Sequence, residues 1–119
     1  MNFKKLNVYS KSFDLAMEIF DATKVYPKYE MYSLVDQIRR SSRSVTTNFA
    51  EAYGKRLYPK YFVSKLTDAL SESAETEVWL EFSWKCGYLS PSEYQKLSAA
   101  NSEVGRLLTF MIKHPHRFL

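Results

Sequence analysis

Apolar residues in this chain recur at alternating spacings of four and three, and that spacing limits the possible folds more than any other feature. In the first segment Val8, Ser12, Leu15, Ile19, Ala22 and Tyr26 follow it. At about 100° per residue these positions form one stripe along a helix. No segment alternates with period two for long between turn signals, so no strand is predicted. Only three Gly and four Pro occur in 119 residues, and they divide the chain into four long segments.

Pro27 closes the first segment. The second runs from about Met31 to Tyr53, with Met31, Leu34, Val35, Ile38, Val45, Phe49 and Ala52 on one face. Asp36, Arg39, Arg40, Arg43 and Thr47 lie on the other, and Gly54 suits the left-handed position beyond a helix end. The third opens near Pro59 and continues to Cys86, with Gly87 as a second C-terminal cap. Phe62, Leu66, Ala69, Ser73, Thr76 and Leu80 form its stripe, while Val63, Leu70, Val78, Trp79, Phe82 and Trp84 occupy other faces. A helix apolar on several sides is central or packs against another chain. The fourth starts at Ser90-Pro91-Ser92-Glu93, a capping Ser with Pro at the first position and Glu93 three residues on. Its stripe is Tyr94, Leu97, Asn101, Val104, Leu108 and Met111, and Pro115 ends it.

Short connections join neighbouring helices antiparallel. The predicted fold is all-α: a single antiparallel up-down-up-down four-helix bundle spanning residues 1–119. Helices of about 20 to 27 residues make a slender rod about 30 to 40 Å long. Such a rod has too few wide interior positions for two Trp, nine Tyr and eight Phe, so some aromatics are expected at subunit contacts.

A composition of 45% hydrophobic and 25% charged residues fits one soluble domain. Cys86 is the lone cysteine, which points to a reducing, cytoplasmic setting and an ordinary buried thiol rather than a nucleophile. No stretch longer than seven residues lacks a charge, Ser44–Ala50 and Cys86–Ser92 being the longest, so no membrane span is expected. Lys4 and Lys5 are followed by no apolar run, unlike a signal peptide.

The net charge of +4 is unevenly placed. Arg39, Arg40, Arg43, Lys55, Arg56, Lys60 and Lys65 fall in a segment whose one acid is Glu51. The next residues, Leu66 to Glu81, carry Asp68, Glu72, Glu75, Glu77 and Glu81 and no base. Segregation of this kind suits an anion-binding face, or basic and acidic surfaces that pair between helices or subunits.

The run Gln37-Ile38-Arg39-Arg40-Ser41-Ser42-Arg43-Ser44-Val45-Thr46-Thr47-Asn48-Phe49-Ala50-Glu51-Ala52-Tyr53-Gly54 resembles the signature of the 23S rRNA intervening-sequence proteins. The resemblance extends to Leu6-Asn7-Val8-Tyr9, Tyr26-Pro27, Leu66-x-x-Ala69-Leu70, Glu75-x-Glu77 and Gly87-Tyr88-Leu89-Ser90, and so covers essentially the whole chain. It implies a four-helix bundle assembled into a barrel-like homopentamer. It also implies similarity to the accessory variability determinant protein of diversity-generating retroelements, which binds nucleic acid through a basic surface. The family usually has Gly at the position of Ala52 and Gly-Ser at Ser71-Glu72, and the second departure adds an acid to the third helix.

The candidate nucleic-acid site is Arg39, Arg40, Arg43, Lys55, Arg56 and Lys60, because guanidinium forks suit phosphate oxygens and a ring of copies multiplies a weak patch. The alternative is that these groups form salt bridges with Asp36, Glu51 or the acids of the third helix. Ser44, Thr46, Thr47 and Asn48 are poor helix formers, which suits close helix packing; Asn48 and Glu51 could form a polar network with Arg39 or Arg40. Asp68, Glu72 and Glu75 share a face, but the histidines, His114 and His116, lie in the C-terminal tail, so no metal and no cofactor is expected. No Gly-rich phosphate loop or catalytic constellation is present, and the chain reads as a non-enzyme. Two functions remain: a homo-oligomer that binds RNA or another nucleic acid, and an adaptor whose apolar faces dock a partner protein.

Overall fold

The computed structural model describes residues 2–119. Four long helices make the fold: α1 (Asn7–Thr23), α2 (Asp36–Gly54), α3 (Pro59–Lys85) and α4 (Pro91–Lys113). They pack in the cyclic order α1, α2, α3, α4 and back to α1. The bonds between them run antiparallel. Early α1 meets late α2 (Ser12 with Thr46), early α2 meets late α3 (Ser41 with Thr76), and late α3 meets early α4 (Glu77 with Ser98). The body measures 45 × 25 × 20 Å, the rod that the helix lengths predict.

The buried stripe of α3 is Phe62, Leu66, Ala69, Ser73, Thr76 and Leu80, as the spacing predicts, with Ser83 added. In α4, Leu97, Asn101, Val104, Leu108 and Met111 are buried, while Tyr94 is half-buried. The capping box closes in both directions. The Ser90 hydroxyl accepts from the Glu93 amide (3.1 Å), and the Glu93 carboxylate accepts from the Ser90 amide (2.8 Å). Those bonds hold the Glu93 carboxyl below its ordinary range.

Several local expectations are corrected. Helix α1 stops at Thr23, short of Pro27, whose steric restriction reaches back only to Tyr26. The Thr23 hydroxyl turns back to the Ile19 carbonyl at 2.8 Å, so Thr23 takes the buried position expected of Ala22. Met31–Val35 form a π-helical turn ahead of α2, and Met31 faces outward at 50% exposure. Cys86 is exposed, not buried.

Gly54 is the last residue of α2 and has no left-handed backbone; Lys55 follows it as the cap. Among the described residues, Gly87 alone has a positive φ, 82°. The two glycines therefore predict opposite outcomes. A Cβ at Gly54 meets nothing within 4 Å, so Gly54→Ala is expected to stabilise the protein by about 0.5 to 1 kcal/mol through lost unfolded-state freedom. Gly87→Ala is expected to cost about 1 kcal/mol or more because an L side chain is strained there. Thermal unfolding of the two variants should move the midpoint in opposite directions.

Two apolar clusters fill the interior. One gathers Val45, Phe49, Phe62, Leu66, Val104 and Leu108; the other gathers Leu15, Ile19, Ile38, Leu80 and Leu97. Between them lies a belt of small polar side chains, bonded in pairs across helices. Thr46 donates to Ser12 (2.9 Å), Thr76 lies 2.9 Å from Ser41, and Ser73 donates to Asn101 (3.1 Å). Small side chains let the backbones approach, and the fixed pairings set the helix register. The close packing read into the middle of the second segment is real, but Ser41, Ser42 and Thr46 carry it while Thr47 is exposed.

Candidate nucleic-acid interface

Three of the six candidate cations lie on α2 near its start. Arg39 is committed to the fold. Its Nε donates to the Thr23 hydroxyl at 2.8 Å, its Nη2 to the Phe20 carbonyl at 3.3 Å, and its guanidinium lies 4.6 Å from the centre of the Phe20 ring. A cation bound to the last carbonyls of α1 also complements the negative end of that helix. Arg40 pairs with Glu75 of α3 at 3.0 Å, a partly exposed bridge of small net worth. Arg43 is exposed, 5.6 Å from the Phe20 ring centre, and meets no carboxylate among the described residues.

The other three lie at the α2–α3 turn. Arg43 and Lys55 are about 18 Å apart along the helix at 1.5 Å per residue, so the six form two groups, not one patch. Lys55 lies 5.9 Å from the centre of the Tyr61 ring. Arg56 stacks on Tyr53 at 3.7 Å and donates to its carbonyl at 3.0 Å. Lys60 is exposed. None of Lys55, Arg56 and Lys60 forms an ion pair among the described residues.

Lys65, which the sequence reading left outside the site, meets two acids. It bridges Glu51 of α2 (2.9 Å) and Asp68 of α3 (3.8 Å) and donates to Asn48 at 3.4 Å. The hydrogen bond to Glu51 is the main cause of its raised pKa. The polar network expected around Asn48 and Glu51 therefore exists, with Lys65 at its centre in place of Arg39 or Arg40.

Other acids of α3 turn elsewhere. Glu77 accepts from Tyr94 (3.0 Å) and Ser98 (2.9 Å) on α4. Desolvation, then the bond to Glu77, pushes the Tyr94 phenol up. Glu72 has one carboxylate oxygen buried without a partner; burial, then the neighbouring Glu75 charge, pushes its pKa up. No group of three His, Cys, Asp or Glu among the described residues is placed to hold a metal ion.

Apolar surface accompanies the charge. Phe3, Tyr9, Phe13, Ala16 and Met17 line a groove of about 420 Å³ between α1 and α2, with Arg43 on its rim. On α3, Val78 and Phe82 stand exposed beside Glu81.

The family model for 23S rRNA-intervening sequence protein matches residues 4–110. The chain belongs to that family. This intervening-sequence protein is also similar to a solved protein of unknown function from the S23 ribosomal protein family of Bacteroides thetaiotaomicron. The two are 29% identical, with a TM-score of 0.79 over 89% of this chain and 98% of the other. No curated protein matches it. Among the described residues, no helix of this family member is long and apolar enough to cross a membrane.

Proposed function

We propose that this intervening-sequence protein is a non-enzymatic, cytoplasmic homo-oligomer that binds RNA or another nucleic acid by neutralising phosphates. One observation carries the reading: of the six candidate cations, only Arg40 is paired with a carboxylate among the described residues. Of the acids of α3, Glu75 pairs with Arg40, Asp68 lies beside Lys65 and Glu77 bonds to α4, so among the described residues Arg43, Lys55, Arg56 and Lys60 keep their charges unpaired. Arg43, Lys55, Arg56 and Lys60 hold the phosphates, Arg40 adds to them once released from Glu75, and Arg39 braces α2 against α1.

Self-association is supported by the apolar groove between α1 and α2 and by the Val78–Phe82 ridge on α3. They lie on different faces, so copies meet head to tail, the arrangement that closes a ring when the rotation allows it; a pentamer is the number the family resemblance implies.

Light scattering across a salt series, with and without a short RNA, tests both halves. Four neutralised phosphates on a single strand give a slope of log K on log salt of about −3, so affinity should fall about fiftyfold from about 50 to about 200 mM salt. Lys55→Glu/Lys60→Glu should abolish binding while leaving the mass of the assembly unchanged. RNA binding that ignores salt, or survives that reversal, would overturn the phosphate reading. An assembly of several chains that never binds RNA would favour the protein-adaptor function, and a monomer would remove the ring.

A further inference from the structure

Resting on the nucleic-acid reading above, we infer that the α2–α3 turn is a site for unpaired bases, so that the nucleic acid recognised is a single strand. The turn projects three large apolar side chains that the core does not use: Leu57 is 88% exposed, Tyr58 60% and Tyr61 63%. They are interspersed with Lys55, Arg56 and Lys60 in the seven-residue run 55–61, whose remaining member is Pro59. The rings of Tyr58 and Tyr61 sit 6.4 Å apart at 82°, forming an open right-angled corner. Lys55 lies 5.9 Å from the Tyr61 ring centre. Neither phenol is hydrogen-bonded among the described residues, and the nearest acid along α2, Glu51, is held by Lys65 at 2.9 Å.

Aromatic faces beside unneutralised cations match the chemistry of a single strand, whose bases stack on rings while its phosphates meet the charges. The occupant follows from charge as well as from apolarity, since a patch that carries three cations, with no acidic side chain lining the pocket Arg56 and Leu57 share, repels a basic protein face and attracts a polyanion. A duplex cannot use the corner. Its base faces are covered by neighbouring pairs, so it meets only Lys55, Arg56 and Lys60. The tyrosines therefore set the ratio of single-strand to duplex affinity, and the lysines set the salt dependence of both. The arginine group on α2 lacks this combination, because Phe20 is covered by Arg39, and Glu75 already occupies Arg40.

Fluorescence anisotropy with an oligouridylate of about 12 nucleotides, and with an RNA duplex of the same length, tests the site at low salt. Tyr58→Ala/Tyr61→Ala should weaken the single strand about tenfold or more and the duplex less than about twofold. Tyr58→Phe/Tyr61→Phe should restore single-strand binding, because stacking needs the ring and not the hydroxyl. Lys55→Gln/Lys60→Gln should weaken both ligands alike and flatten the salt slope. Unaltered single-strand binding by the alanine variant, or equal loss of both ligands, overturns the site while the phosphate reading stands. Failure of the unmodified protein to bind either RNA overturns both. A change in the assembly's mass on alanine substitution would assign the corner to a protein contact and overturn the inference too.

Discussion

Phe49→Ala is expected to cost about 3 to 5 kcal/mol, a large share of the total stability of a domain this size. Phe49 is 0% exposed and packs in the cluster with Phe62, Leu66, Val104 and Leu108, in the last third of a helix that contacts both of its neighbours. Truncation removes its transfer energy and leaves a cavity that three rigid helices cannot close. Chemical denaturation should show the midpoint fall with the slope unchanged. Phe82→Ala serves as the contrast, since Phe82 is 54% exposed and should shift the unfolding of separated chains by less than about 0.5 kcal/mol. Equal effects at the two positions would contradict the assignment of the core.

Asn101→Asp is expected to be nearly as damaging at neutral pH and far milder in acid. Asn101 is 4% exposed, donates to the Ser73 carbonyl at 2.9 Å and lies 3.5 Å from the Glu77 carboxylate. The replacement keeps the shape but removes the donor and sets a second carboxylate against Glu77. The cost should be about 3 kcal/mol at neutral pH. Burial and the neighbouring charge raise the new group's pKa in the folded state, so the native state binds more protons than the unfolded one, and stability falls as pH rises. Unfolding midpoints relative to the unmodified protein should converge as pH drops below the raised value. A deficit independent of pH would mean that lost packing, not charge, dominates. Asn101→Ala separates these, losing the hydrogen bonds at every pH.

Much of the fold is legible in the residues themselves. Phe62, Leu66, Ala69, Ser73, Thr76 and Leu80 are buried where their spacing places them, and the Ser90–Glu93 box closes as its chemistry requires. Where local reading failed, another part of the chain intervened. Gly54 was open to a left-handed cap, yet α2 runs through it and the turn is made by Lys55 onward. Met31 has the spacing of a core residue, but the π turn rotates it outward. For the candidate site, the positions of the cations were legible and their partners were not. Arg39 is bound to Phe20 and Thr23, and Lys65 binds Glu51, all contacts between different helices. The exposed corner of Tyr58 and Tyr61 carried a signal in sequence, since large aromatics crowd a helix start between lysines.

The amino-acid sequence by itself determined the helices, their order and their buried faces, because a 3.6-residue repeat and a capping box are properties of the local backbone. Only the tertiary structure decided which charges were cancelled. An ion pair depends on which faces meet across a helix–helix seam, and the packing that joins Arg40 to Glu75 and Lys65 to Glu51 leaves Arg43, Lys55 and Lys60 facing solvent.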